Sequence, residues 1–409
     1  MRFKRLLAAN YDELVSAECR GEVEEFLRAT ESVKHLEVGT VKRVTKIAAH
    51  IIDQFPGSLD DLLERIYQFN MEGAEMAKTS TEFRPDHMKV LRAHFYGHAG
   101  NIKMKLQKRT GELNHAETAY NCFMLAASVG DKVDPEHSAF SRGFAATAAR
   151  IIFTETGNPM WGEREYKAGL ASLNGNGKDE FNAVGYTRVA ETARAMFELD
   201  ILPLDERLEW ARKSYDARME SGKVRVEAKD ETAHHEYSKG ADTASAVLEL
   251  NIPIEIRVDF ANKSYDGRIE SGNLRIKIND ENACYEFGLA GDICHAMFES
   301  EQLPMHERIE WAKKGYKVRI KAGELAEGTD DKFYAHVNGY AGDLAMAIAK
   351  QTRDKSWTRK ALDCYNRFLV YYGEHPDPRM NGIIARIRES AAFIGGILRS
   401  SRSSGRYRR

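Results

Sequence analysis

Two histidines, His94 and His98, stand four residues apart, a spacing that sets both imidazoles on one face of a helix where they could share a metal ion. Neither has a third ligand at a matching spacing, so packing or contact with solvent is the expected role. The same holds for His234-His235-Glu236 and for Cys284 with Cys294. The five cysteines, Cys19, Cys122, Cys284, Cys294 and Cys364, include no Cys-x-x-Cys pair, which predicts free thiols in a reducing compartment. No Walker loop, Gly-x-Ser-x-Gly elbow, His-Glu-x-x-His or dinucleotide fingerprint occurs, and the Asn-Gly-Asn-Gly run from Asn174 to Gly177 reads as a turn between helices. These residues predict a chain that is not an enzyme and holds neither metal nor cofactor.

The chemistry that does recur is ionic and periodic. Arg207, Ala211, Tyr215 and Arg218 are spaced to share one stripe of a helix, and the stripe returns as Arg257, Ala261, Tyr265, Arg268 and as Arg308, Ala312, Tyr316, Arg319, with the alanines 50 and then 51 residues apart. An arginine on so apolar a stripe needs a carboxylate, because a buried unpaired charge is very costly. An acidic column, Glu191, Asp242, Asp292 and Asp343, recurs with the same period and runs back through Thr147 and Asn101. It has two readings. The acids either pair internally with Arg218, Arg268 and Arg319, or line an inner groove. Seven residues ahead of the column stand His94, Phe140, Val184, His235, Tyr285 and His336, two helical turns away on the same face. Rings above acids would suit a peptide or protein segment carrying Lys or Arg; ordinary contacts between helices are the alternative.

Two kinds of helix must position these residues. The first carries the acidic column, preceded at one and four residues by small side chains: Gly100, Ala146, Ala190, Ala241, Gly291, Gly342 and Gly97, Gly143, Thr187, Ser238, Gly288, Gly339. Small residues three apart on one face let another helix approach closely, so this column predicts a packing seam. Its starts are read at Asp86, Asp134, Asp179, Asp230, Asp280 and Asp330 as N-caps, with Asp377-Pro378 opening a final helix. The second helix carries the arginine stripe and acid-to-lysine pairs at four residues (Glu209–Lys213, Asp259–Lys263, Glu310–Lys314); Gly222, Gly272, Gly323 and Gly373 read as its stops. The stretches KVRVEAKDE and NLRIKINDE read as short extended linkers. Weaker copies of the second helix are placed at Ala361 with Tyr365, at Ala116 with Tyr120, and around Ala168.

Alternating helices with Tyr237 and Phe287 four residues before Ala241 and Gly291, and with Ala-x-x-x-Tyr in the partner helix, resemble the tetratricopeptide repeat. The likeness covers roughly residues 58 to 398. The spacing departs from that family, whose repeat is about 34 residues long; here it is 44 to 51. The resemblance implies an all-α fold, a right-handed α–α superhelix or solenoid of stacked antiparallel helix pairs, and a concave face that holds a protein or peptide segment. Residues 1–57, where the columns dissolve, are expected to form an N-terminal helical cap.

At 409 residues, 43% hydrophobic and 30% charged, the net charge of −2 excludes a polyanion-binding body by charge alone. No apolar run approaches the roughly 18 residues that span a bilayer, so no membrane partner and a cytoplasmic location are expected. The segment 399–409 is basic and is expected to be disordered. Arg399, Arg402, Arg406, Tyr407, Arg408 and Arg409 make RNA contact through phosphate pairing and stacking the alternative function.

Overall fold

Helix starts and stops are set by local chemistry. The Asp134 carboxylate accepts from the His137 N–H at 3.1 Å with Pro135 in the first turn, and that helix stops at Gly157, whose φ of 62° is left-handed. Asp330 and Asp354 cap in the same way, accepting from Phe333 N at 3.0 Å and Ser356 N at 2.8 Å. The computed structural model describes residues 60–79, 84–173 and 180–403, less the side chains of 61, 62, 180, 181 and 396–403. The cap expected at 1–57, Asp179, and the tail residues Arg406, Tyr407, Arg408 and Arg409 lie outside the described residues, as do the side chains of Arg399 and Arg402.

Every regular element among the described residues is helical: α1 (Asp60–Thr79), α2 (Pro85–Thr110), α3 (Leu113–Gly130), α4 (Pro135–Thr156), α5 (Pro159–Leu173), α6 (Glu180–Glu198), α7 (Leu204–Glu227), α8 (Ala233–Leu248), α9 (Ile254–Lys277), α10 (Ala283–Glu299), α11 (Met305–Ala326), α12 (Asp331–Thr352), α13 (Lys355–Glu374), a 3-10 turn (Pro378–Met380) and α14 (Asn381–Ser403). The chain divides after Pro203 into two compact units. Within each unit, consecutive helices joined by short connections pack on one another, giving a solenoid of antiparallel helical hairpins.

The small column is a packing seam. A Cβ on Gly342 would lie 2.6 Å from the Tyr365 ring, one on Gly339 2.9 Å from Phe368, one on Gly291 2.5 Å from Arg319 and one on Gly100 2.7 Å from Phe123. Four expectations are corrected here. Gly222, Gly272 and Gly323 do not end their helices but lie inside α7, α9 and α11, and Gly373 lies in the last turn of α13. Tyr237 and Phe287 press on Gly222 and Gly272, where a Cβ would stand 2.6 and 2.8 Å from the rings. The supposed extended linkers are the last turns of α7 and α9, which reverse afterwards at Lys229 and Asn279 with φ of 59° and 56°. Asp86 lies within α2, while Asp230 and Asp280 sit in turns before α8 and α10, accepting from Thr232 N at 2.8 Å and Asn282 N at 2.9 Å and paired with Arg225 and Arg275. Glu310 pairs with Lys313 at 2.7 Å, leaving Lys314 over the Trp311 ring at 4.6 Å.

Asp377 accepts from Arg379 N at 3.0 Å and so opens the 3-10 turn, with α14 following from Asn381. The first arginines of the stripe find an unforeseen use. Arg257 donates to the Leu248 and Leu250 carbonyls at 2.9 and 3.1 Å and Arg308 to Phe298 O at 2.6 Å, satisfying carbonyls at the ends of α8 and α10.

Candidate ligand groove

The helix pairs α4–α5 and α12–α13 superimpose in sequence with one shift of 196 residues, which pairs the capping Asp134 with Asp330, Gly143 with Gly339 and Ala146 with Gly342. The same shift pairs Glu165, Gly169 and Ser172 with Ala361, Tyr365 and Phe368, so Glu165, not Ala168, occupies the alanine column. Contacts follow the shift. Among the described residues a Cβ on Gly143 faces only Ser172 Cβ, at 4.0 Å, where Gly339 faces Phe368, and one on Gly169 would stand 3.0 Å from Val189 and 3.8 Å from Ala146, where Tyr365 covers Gly342. Tyr365 and Phe368 are each 2% exposed core rings of unit 2. The α4–α5 pair has neither.

A cavity of about 460 Å³ lies in that place, between α4 and α6 with α5 as its floor. Its apolar end is formed by Phe140, Leu173 and Val184; its polar end by Arg150, Glu165 and Thr192. Phe140, Phe144 and Val184 are 42, 49 and 43% exposed, large apolar side chains turned toward solvent around one opening. A second cavity of about 210 Å³ shares Phe140 and Phe144 and continues to His94, His98 and His137. The groove therefore follows the first-helix face of unit 1 across α2, α4 and α6.

Glu165 is buried. The Thr192 hydroxyl donates to its Oε1 at 2.6 Å, and the Arg150 guanidinium stands 4.0 Å from the same oxygen while bonding Glu191 at 3.3 Å. Burial pushes the Glu165 carboxyl up to about 7, against the opposing pull of the Thr192 bond and Arg150. Near neutral pH this floor can therefore hold or release a proton.

Two acids of the column pair with column arginines and still reach water. Asp242 binds Arg268 and Asp292 binds Arg319, with the arginine side chains 8 and 4% exposed and the aspartates 59 and 61%. Asp343 accepts from Tyr365 Oη at 2.8 Å and Arg386 at 2.9 Å. Arg218 bonds Glu236 at 2.6 Å, and Arg268 bonds Glu286 at 3.0 Å; these two glutamates, with Arg225 and Arg275 beside them, form buried networks that the column argument missed. Their own 50-residue repeat was the available signal.

Of the ring column, the structure brings His94, Phe140 and Val184 to the groove of unit 1. His94 also lies 4.3 Å from the His137 ring. In unit 2 the column is engaged within the protein. Tyr285 donates to Asp330 at 2.6 Å, a bond that raises its pKa to about 12, and stands 4.6 Å from Phe333. His336 bonds Tyr372, and the His235 ring lies tilted against His234 at 4.0 Å. Desolvation lowers the pKa of both His235 and His336. No cluster of three metal-ligating side chains occurs among the described residues, and none of the described helices is long and apolar enough to cross a membrane.

These features define a helical-repeat protein built of tetratricopeptide-like hairpins. No protein-family model and no curated protein matches the sequence. Among solved structures, the chain is similar to a circular tandem repeat protein with a novel repeat topology, at 11% identity and a TM-score of 0.38, covering 96% of this chain and 95% of that one. It is also similar to Naa15/Naa10 bound to HypK-THB (11% identity, TM-score 0.18, 87% and 71% covered). A third is a signal transduction ATPase with numerous domains carrying a tetratricopeptide repeat sensor, from Pyrococcus horikoshii (10%, 0.17, 93% and 62%). The assignment of class rests on the helices and their packing, not on these scores.

Proposed function

We propose that this chain is a non-catalytic, cytoplasmic scaffold that binds a protein or peptide segment along the first-helix face of unit 1. The observation that carries the reading is the groove itself, with Phe140, Phe144 and Val184 exposed around a cavity of about 460 Å³. Exposed apolar side chains gathered round a concavity of this size are what a binding site needs. The described cysteines, Cys122, Cys284, Cys294 and Cys364, are buried free thiols, in keeping with a reducing compartment. In unit 2 the carboxylates of Asp242 and Asp292 already neutralise arginines, so a basic segment would gain less there than their exposure suggests.

The test is selection of displayed random peptides by the full chain after nuclease treatment. The reading expects a family of sequences with an apolar anchor whose affinity falls at least about tenfold in Phe144→Asp, because a carboxylate at the mouth must be desolvated by the incoming segment. Peptides that bind Phe144→Asp equally well would contradict it.

A further inference from the structure

The missing rings say what fits the cavity. In unit 2 the seam beside Gly339 and Gly342 is filled by Phe368 and Tyr365, and the Tyr365 hydroxyl is satisfied by Asp343 at 2.8 Å. In unit 1 the corresponding residues are Ser172 and Gly169, the aspartate is replaced by Thr147, and a carboxylate is supplied from the floor by Glu165 in place of Ala361. Ring and acceptor differ together: where unit 2 has an aromatic ring bearing a donor, the α4–α5 pair has none, and the acceptor Glu165 lines the space. The walls are suited to such a ring. Phe144 stacks on Phe123 at 5.4 Å and presents an aromatic face to the cavity with Phe140.

We propose that the cavity is an anchor site for an aromatic side chain carrying a ring hydrogen-bond donor, a tryptophan or tyrosine of a bound protein segment, with the ring in the space left by Gly169 and Ser172 and the donor on Glu165. This rests on the segment-binding reading for who brings the ring. Glu165 Oε1 already accepts from Thr192, so the ring's donor is taken by the second carboxyl oxygen, and the site discriminates for ligands that supply that bond. Phenylalanine fills the space without supplying that bond; leucine neither fills the space as a ring does nor supplies the bond.

The probes are the N-acetyl amides of tryptophan, tyrosine, phenylalanine and leucine, titrated into the full chain by calorimetry. Tryptophan and tyrosine amides should bind saturably, at least about threefold more tightly than phenylalanine amide, with leucine amide weakest. Ser172→Phe restores the ring found in unit 2, so it should abolish binding and raise the melting temperature. Should that variant not fold, Gly143→Met fills the same space from α4, where among the described residues only Ser172 stands within reach of a Cβ. Leucine amide binding as well as tryptophan amide, or unchanged binding in a folded filled variant, overturns the proposal. The two readings fail separately. Selected peptides that depend on Phe144 but carry no fixed Trp or Tyr remove the ring anchor alone; amides that bind while no peptide is selected remove the segment.

Discussion

Glu165 shows how one residue in a repeat column turns an apolar core position into a buried carboxyl. Its carboxyl is held at about 7, above the ordinary 4.5, chiefly by burial, while Arg150 from α4, Arg188 and Glu191 from α6 and the Thr192 hydroxyl face it. A carboxyl whose folded pKa is raised contributes stability that is complete below the unfolded pKa and lost as pH rises through the folded one. The chain should therefore lose up to about 3 kcal/mol between roughly pH 4.5 and 7 from this group. Glu165→Gln, which still accepts from Thr192, should remove that part of the slope; urea melts across the range check it, and an unchanged slope would contradict the assignment. The buried ionic networks make a second prediction. Glu286→Val should cost about 3–5 kcal/mol, since Arg268 and Arg275 both lose a buried partner. The next repeat has Val337 and Ala326 where this one has Glu286 and Arg275, both fully buried. Adding Arg275→Ala to Glu286→Val should accordingly recover part of the loss, and a double-mutant cycle without coupling would sink this account.

Elements were legible in the sequence where pattern and backbone agree, and not where one signal serves two purposes. The alternation of two helix types and the small-residue seam could be read because a column of Gly and Ala at helical spacing has one physical use. Glycine near a helix end has two. Gly222 and Gly272 were read as stops because glycine ends helices, whereas here rings from the next helix demand their missing side chains. The alternating stretches after them look like strands, yet the pairing of Arg225 with Asp230 and Arg275 with Asp280 closes the helix end against its turn. The seam gives a paired prediction. Gly342→Leu should cost about 1–3 kcal/mol or more because the Tyr365 ring cannot retreat, whereas Gly373→Ala, with nothing within 4 Å, should be neutral or stabilise by up to about 1 kcal/mol. Thermal melts of the two variants that shift alike would mean the seam is misplaced.

For the molecule as a whole, periodicity disclosed the architecture but could not disclose the cavity, because a cavity is made by what a repeat omits. Gly169 and Ser172 carry no mark of function until the contacts of Gly339 and Gly342 show which rings they replace. The acidic and aromatic columns were visible, but whether a column faces a ligand depends on what lies beside it: Tyr285 and His336 are hydrogen-bonded within unit 2, whereas His94, Phe140 and Val184 line cavities in unit 1. The proposed function places recognition on the first-helix face of unit 1. Amide hydrogen exchange of the intact chain, with and without a selected peptide, tests it most directly. The account predicts slowed exchange over Phe140–Arg150 and Val184–Thr192; a peptide bound at full affinity with protection confined to α8, α10, α12 or α14 would contradict it.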